Sequence, residues 1–190
     1  KSNNILNIYD IDREKYIEYL FEYNKPIPVY GANIINKLQP YVKKYGYLQI
    51  KKTNEPSLSS AFLPIKNNEY QFLNIKTAIL DGLSPKLITH YSNIKQQYYG
   101  VKKLILPHKM YGFPYLDLSG NYGISHRDNY VIVSENTDIL LLWKDFLSTK
   151  TALYLFECTR YRMKYLEKYI FPLIPNIVNI PNFPLKINDE

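Results

Sequence analysis

Two periodicities divide the chain. From Asp10 to Tyr23, apolar residues recur at helical spacing, with Ile17, Leu20, Phe21 and Tyr16 forming one stripe. This predicts an amphipathic helix with Asp10 or Asp12 as its cap. "NKPIPVYG" breaks the pattern with two prolines and a glycine. Ala32 to Tyr45 predicts a second helix on Ile34, Ile35 and Leu38, stopped by Gly46 and with Pro40 able to split it. From Tyr47 to Ser134 the period shortens. "YLQIKK", "SAFLPIK", "EYQFLNIKTAIL", "KLITHYS", "KKLILP", "PYLDL" and "NYVIVS" are short β-branched and aromatic runs separated by Gly, Pro, Asn and Ser. They predict five to seven strands. Helical spacing returns at Thr137, read as a cap. Ile139, Leu140, Leu142, Trp143, Phe146 and Leu147 form a broad apolar face, and Trp143 is read as core. Another helix follows Ser148, and a third runs to about Tyr169. "FPLIPNIVNIPNFPLK" carries four prolines and predicts an extended tail.

The order is helices, then strands, then helices. It predicts an α+β fold: N-terminal helices, a central mostly antiparallel or mixed sheet, C-terminal helices and a Pro-rich extended tail. The expected organisation is an N-terminal helical segment, 1–46, and an α+β domain, 47–190, or one domain overall. The 190 residues suffice for a real core. Lys1 in the place of an initiator Met reads as a processed chain or a fragment.

Charge adds a partner. The net charge is +7, with a pI near 9.2, which favours an anionic partner such as nucleic acid. It is uneven: residues 1–24 hold three basic against five acidic, whereas 86–127 hold six basic (Lys86, Lys95, Lys102, Lys103, Lys109, Arg127) against Asp117 alone. Heavy use of Lys, Asn, Ile and Tyr also fits an AT-rich genome, so lysine excess carries little weight. Arg13, Arg127, Arg160 and Arg162 carry more, because the guanidinium suits bidentate contact with phosphate or guanine. Arg160 and Arg162 are two apart, so on a helix at most one, Arg160, faces DNA. No apolar run approaches a membrane span and no secretion signal opens the chain, so no membrane partner is expected. The single Cys158 fits a reducing compartment, and the expected location is intracellular, cytoplasmic or nuclear.

Catalytic patterns are sparse. No Gly-rich phosphate loop, GxSxG elbow or Cys/His cluster occurs, and His90, His108 and His126 are too far apart in sequence for a zinc motif. No catalytic residue, metal ligand or cofactor site is therefore assigned to this chain. Asp117 and Asp128 flank a glycine turn, but Asp117 is read as a turn carboxylate bonded to its own backbone, with Gly120 and Gly123 supplying positive φ. The central run "HYSNIKQQYYGVKKLILPHKMYGFPY" interleaves cations with aromatics. It reads equally as a nucleic-acid face and as a tyrosine-rich core sheet with solvated lysines.

The order of these pieces resembles a known family. Tyr91-Ser92-Asn93, Gly100 with Lys103 and Ile105, Asp117, Gly120, Tyr122 and Gly123 follow one another. Phe146, Leu147, Ser148 and Lys150 come next, then Phe171, Pro172 and Pro175. The arrangement resembles the C-terminal specificity region of N6-adenine DNA methyltransferases of the type IIG, TaqI-like restriction-modification class, with relatives in large DNA viruses. It covers roughly 84–180, and 1–80 match nothing in that pattern. There is no Pro-Pro pair for the (N/D/S)-P-P-(Y/F) motif and no glycine loop for S-adenosylmethionine. The resemblance therefore implies a non-catalytic target-recognition module. It would belong to or derive from such an enzyme, with double-stranded DNA as partner and S-adenosylmethionine on a separate catalytic domain or subunit. It places Ser125, His126 and Arg127 on a loop beside the duplex. Arg127 would read guanine or clamp a phosphate, and Ser125 and His126 would donate hydrogen bonds. The alternative for Arg127 is a surface pair with Asp128 or Asp117. Lys103, Lys109, Tyr111, Asn93, Lys95 and Arg160 complete the expected DNA contacts. Two other readings stay open: a structural or protein-interaction domain, and a nucleic-acid enzyme with an unrecognised site.

Overall fold

A hairpin stands where the first helix was expected. The computed structural model describes residues 4–22, 25–53, 61–82, 84–108, 114–125, 129–161 and 165–183. β1 (Ile5–Asp10) and β2 (Lys15–Leu20) form a two-stranded antiparallel sheet with Ile8 opposite Ile17 and Tyr9 opposite Tyr16. Asp10 does not cap a helix. Its carboxylate accepts the Arg13 amide at 3.2 Å in the connecting turn, where Glu14 takes φ +50°. The Ile and Tyr residues that share a helical stripe also alternate across a ladder, and their β propensity decides between the two.

α1 (Ala32–Tyr45) runs through Pro40 and stops at Gly46, whose φ is +80°. Pro40 removes one internal hydrogen bond without ending the helix. Among the described residues, the long β region contains seven strands in two sheets. β3 (Lys51–Lys52), β6 (Lys103–Pro107), β7 (Tyr115–Asp117) and β9 (Asn129–Val133) make one, in the order β3-β9-β6-β7. β4 (Phe72–Asp81), β5 (Ser84–Ser92) and β8 (Gly123–Ile124) make the other, in the order β5-β4-β8. All pairings are antiparallel except β4 with β8. The two-residue β8 had no periodic signal of its own. The fold is α+β.

α2 (Thr137–Leu147) is capped by Asn136 rather than Thr137: the Asn136 side chain accepts the Asp138 amide at 2.9 Å. Trp143 is buried. α3 (Lys150–Cys158) is capped by Thr149. The third helix expected up to Tyr169 is not seen among the described residues. A 3-10 segment spans Lys168–Leu173 instead, and another spans Ile177–Asn179. The described part of the proline-rich stretch is therefore two 3-10 turns joined by an extended Ile174–Asn176 link. Phe171, Leu173, Ile174 and Ile177 bury their side chains, and burial of those four offsets the poor hydrogen bonding of 3-10 turns.

The chain divides into two compact units. One joins the N-terminal stretch up to Gln49 with the described residues from Thr149 to Phe183. Gly46, Tyr47 and Leu48 pair there with Ile174, Pro175 and Asn176. The other is Ile50–Ser148 and contains both larger sheets and α2. Its centre is Ile75, Ile105, Ile124 and Val131, one from each of β4, β6, β8 and β9. No helix among the described residues is long and apolar enough to cross a membrane.

Candidate nucleic-acid interface

In the Ile50–Ser148 unit, strand register decides which loops share an end. Pro107, the last residue of β6, pairs with Asn129, the first of β9, and Thr53 donates its amide to the Asn129 carbonyl at 3.1 Å. Thr53, His108 and Asn129 therefore stand at one end of the four-stranded sheet. The expected contacts Lys109, Tyr111, His126 and Arg127 lie outside the described residues, as does Asp128, but His108 and Asn129 flank them. The described residues at this end are polar. Thr53, Asn129 and His108 are all buried, and His108 packs edge-on against Tyr130 at 5.7 Å.

Ser125 belongs to the same region and is only 3% exposed. Its Oγ is hydrogen-bonded to His90 Nε2 at 2.5 Å, and Phe62 stacks on the imidazole at 4.2 Å. In β5, His90 sits opposite Asn74, whose amide donates to Ser92 Oγ at 2.8 Å. The expected Ser125 contact with DNA is thus corrected: the hydroxyl serves as an internal strut. It fixes the residue that precedes the 126–128 segment, and its burial leaves it poorly placed as a nucleophile. Nothing in the sequence signals a pairing between positions 35 residues apart.

Lys103 requires the same kind of correction. It was expected at a phosphate, yet it is 0% exposed. Its ammonium donates to Asp117 Oδ2 at 2.5 Å and to the carbonyls of Tyr98 and Val101, both at 3.1 Å. Three donors meet three acceptors, so no valence remains for DNA. Burial lowers the Lys103 pKa, opposed by the hydrogen bond and charge of Asp117. Asp117 in turn accepts the amides of Asn121 and Tyr122, both at 3.1 Å. One buried ion pair thereby fastens two turns, 98–101 and 117–122, at the opposite end of β6.

Gly120, in the second turn, and Gly123, which opens β8 just after it, act differently. Gly120 has φ +67°, and a Cβ there would lie 2.6 Å from the Gly100 carbonyl carbon and 2.7 Å from the Val101 nitrogen. Gly120→Ala is expected to destabilise this unit by about 2 kcal/mol or more, strain and backbone clash combined, read as a lower urea midpoint in Trp143 fluorescence. Gly123 does not supply a positive φ. It allows close approach, since a Cβ would collide with Asn74 Oδ1 and lie 2.9 Å from Gln96 Cβ.

The remaining expected contacts separate. Asn93 is half-buried just after β5. Lys95 is exposed, with its ammonium 6.0 Å from the Phe72 ring centre and 5.6 Å from that of Tyr99. Arg160 belongs to the other unit, where it is exposed and 3.5 Å from Glu157. Phe72 was absent from the sequence-derived contacts, because an aromatic opening a strand carries no mark of which face it uses. Among the described residues, no group of three or more His, Cys, Asp or Glu could hold a metal ion. No family model matches the chain, and no curated protein or solved structure gives a significant match.

Proposed function

We propose that the chain is a double-stranded DNA-binding, target-recognition module, belonging to or derived from an N6-adenine DNA methyltransferase. Its catalytic partner, with S-adenosylmethionine, would reside on a separate domain or subunit. The observation that carries this reading is the Pro107–Asn129 pairing. It places the flanks of the Lys109–Tyr111 and His126–Arg127 segments side by side on a rigid sheet end. Sequence readers are commonly built this way, with variable loops on a fixed scaffold. The net charge of +7 and the ordered motifs of 84–180 support the same reading. Phosphate contacts position such a module, and base-edge contacts specify its target.

The test is fluorescence anisotropy with a pool of short mixed-sequence duplexes. Affinity is expected to fall roughly ten-fold or more between about 50 and 200 mM salt, the signature of several phosphate contacts. Arg127→Ala is expected to weaken binding further. Absence of binding at the lower salt would sink the proposal.

A protein-interaction role is the second reading, favoured by the outer face of the hairpin. Ile5, Tyr9, Tyr16 and Leu20 are exposed there, Tyr16 at 72%. The exposed Asn7–Glu18 pair lies between these two apolar pairs, and a mixed face of this kind suits a protein partner better than a duplex.

A further inference from the structure

Phe72, Lys95 and Tyr99 form a built corner on the Ile50–Ser148 unit. The two rings meet edge to face at 84°, with centres 5.4 Å apart. The Lys95 ammonium lies over both. Among the described residues Lys95 has no carboxylate partner, so its charge is available to an anion.

The turn that presents Tyr99 is unusually well fastened. Tyr98 takes φ +61°, a left-handed conformation uncommon for an aromatic residue, and Gly100 follows at +81°. The Gly100 amide donates to the Gly120 carbonyl at 2.8 Å. The buried Lys103 ammonium holds the carbonyls on either side of the Tyr99–Gly100 pair. Backbone strain retained by surrounding structure is a pointer to a functional turn.

We propose that Phe72 and Tyr99 are a stacking subsite for an unpaired nucleobase, with Lys95 on the neighbouring phosphate. The subsite rests on the DNA-binding reading above and deepens it. A base stacking on either ring displaces the Lys95 ammonium from over that face, and the released ammonium matches the phosphate of the same strand. A module that works beside a base-flipping catalyst meets unstacked nucleotides, so such a surface has a use there. Lys103 and Asp117 serve as positioning residues.

The probes are a fully paired duplex and the same duplex with a single-nucleotide bulge, titrated at about 50 mM salt. Wild type is expected to prefer the bulged duplex. Tyr99→Leu keeps bulk but removes the π-face, and is expected to weaken bulged-duplex binding about ten-fold, leaving the paired duplex unchanged. Tyr99→Phe is expected to retain the preference. Circular dichroism and urea unfolding confirm that each variant is folded. Equal binding of the bulged duplex by Tyr99→Leu and wild type would overturn the subsite while leaving the DNA-binding proposal intact. Failure of wild type to bind either duplex would overturn both.

Discussion

Lys103→Met is expected to destabilise the Ile50–Ser148 unit by about 3–5 kcal/mol, the usual result of removing one member of a buried ion pair. Methionine nearly matches lysine in length, so the loss is not one of volume. It arises because the Asp117 carboxyl, 3% exposed, loses its cationic partner, and because the carbonyls of Tyr98 and Val101 lose their donor. Neither loss is easily made good by solvent at a fully covered position. A double replacement, Lys103→Met with Asp117→Leu, removes the stranded carboxyl. It is expected to recover only part of the stability, because the amides of Asn121 and Tyr122 then lose their acceptor. Urea unfolding followed by Trp143 fluorescence reads all three proteins, since Trp143 is the single tryptophan and lies in this unit. A Lys103→Met midpoint within error of wild type would show that the ammonium reaches solvent, and would restore Lys103 as a candidate phosphate contact.

That ion pair also shows where sequence reasoning stops. The α+β class is legible, as are α1 with its Gly46 stop and α2 with its buried Trp143, because those two helices each keep one period over more than ten residues. The first hairpin is not legible, because six-residue strands rich in Ile and Tyr satisfy both periods, and the Asp10 turn that decides between them resembles a cap. The 3-10 segments escape because they form by burying Phe171 and Ile174 rather than by any pattern of their own. The charged positions mislead for a related reason. Sequence counts Lys103 among six central cations, whereas the fold cancels it with the one central acid, Asp117. Position in the chain says that a lysine is basic; only the β6–β7 register, Lys103 opposite Asp117, says that it is inside. Ser125 and His90 likewise acquire their roles from the arrangement of β4, β5 and β8, which no local pattern encodes.

Alkaline pH is expected to weaken the other unit, the one built from the N-terminal stretch and the segment after Thr149, before the Ile50–Ser148 unit. Burial pushes the Cys158 thiol from 9.0 up to about 12. Burial also pushes Tyr19 and Tyr30 from 10.0 up to about 12, with Tyr161 beside Tyr19 and Glu157 beside Tyr30 adding to it. In each case the folded state holds its proton more tightly than the unfolded chain. The stability they contribute is complete below pH 9 and is lost as pH rises toward 12. For Cys158, which is fully buried, linkage gives a loss of about 2 kcal/mol between roughly pH 8.5 and 10.5. Lys103 acts with the opposite sign. Its folded pKa is lowered, so the Ile50–Ser148 unit gains stability as pH rises from that value toward 10.5. The gain opposes the loss from Tyr115, which burial and its hydrogen bond with Tyr122 push up to about 12. Far-UV circular dichroism, which includes α1 and α3, should therefore show a falling urea midpoint above pH 9 while Trp143 fluorescence lags. Cys158→Ala should make the circular-dichroism trend shallower, leaving the part due to Tyr19 and Tyr30. Coincident transitions at every pH, or an unchanged slope in Cys158→Ala, would refute the assignment of this alkaline sensitivity to the buried thiol.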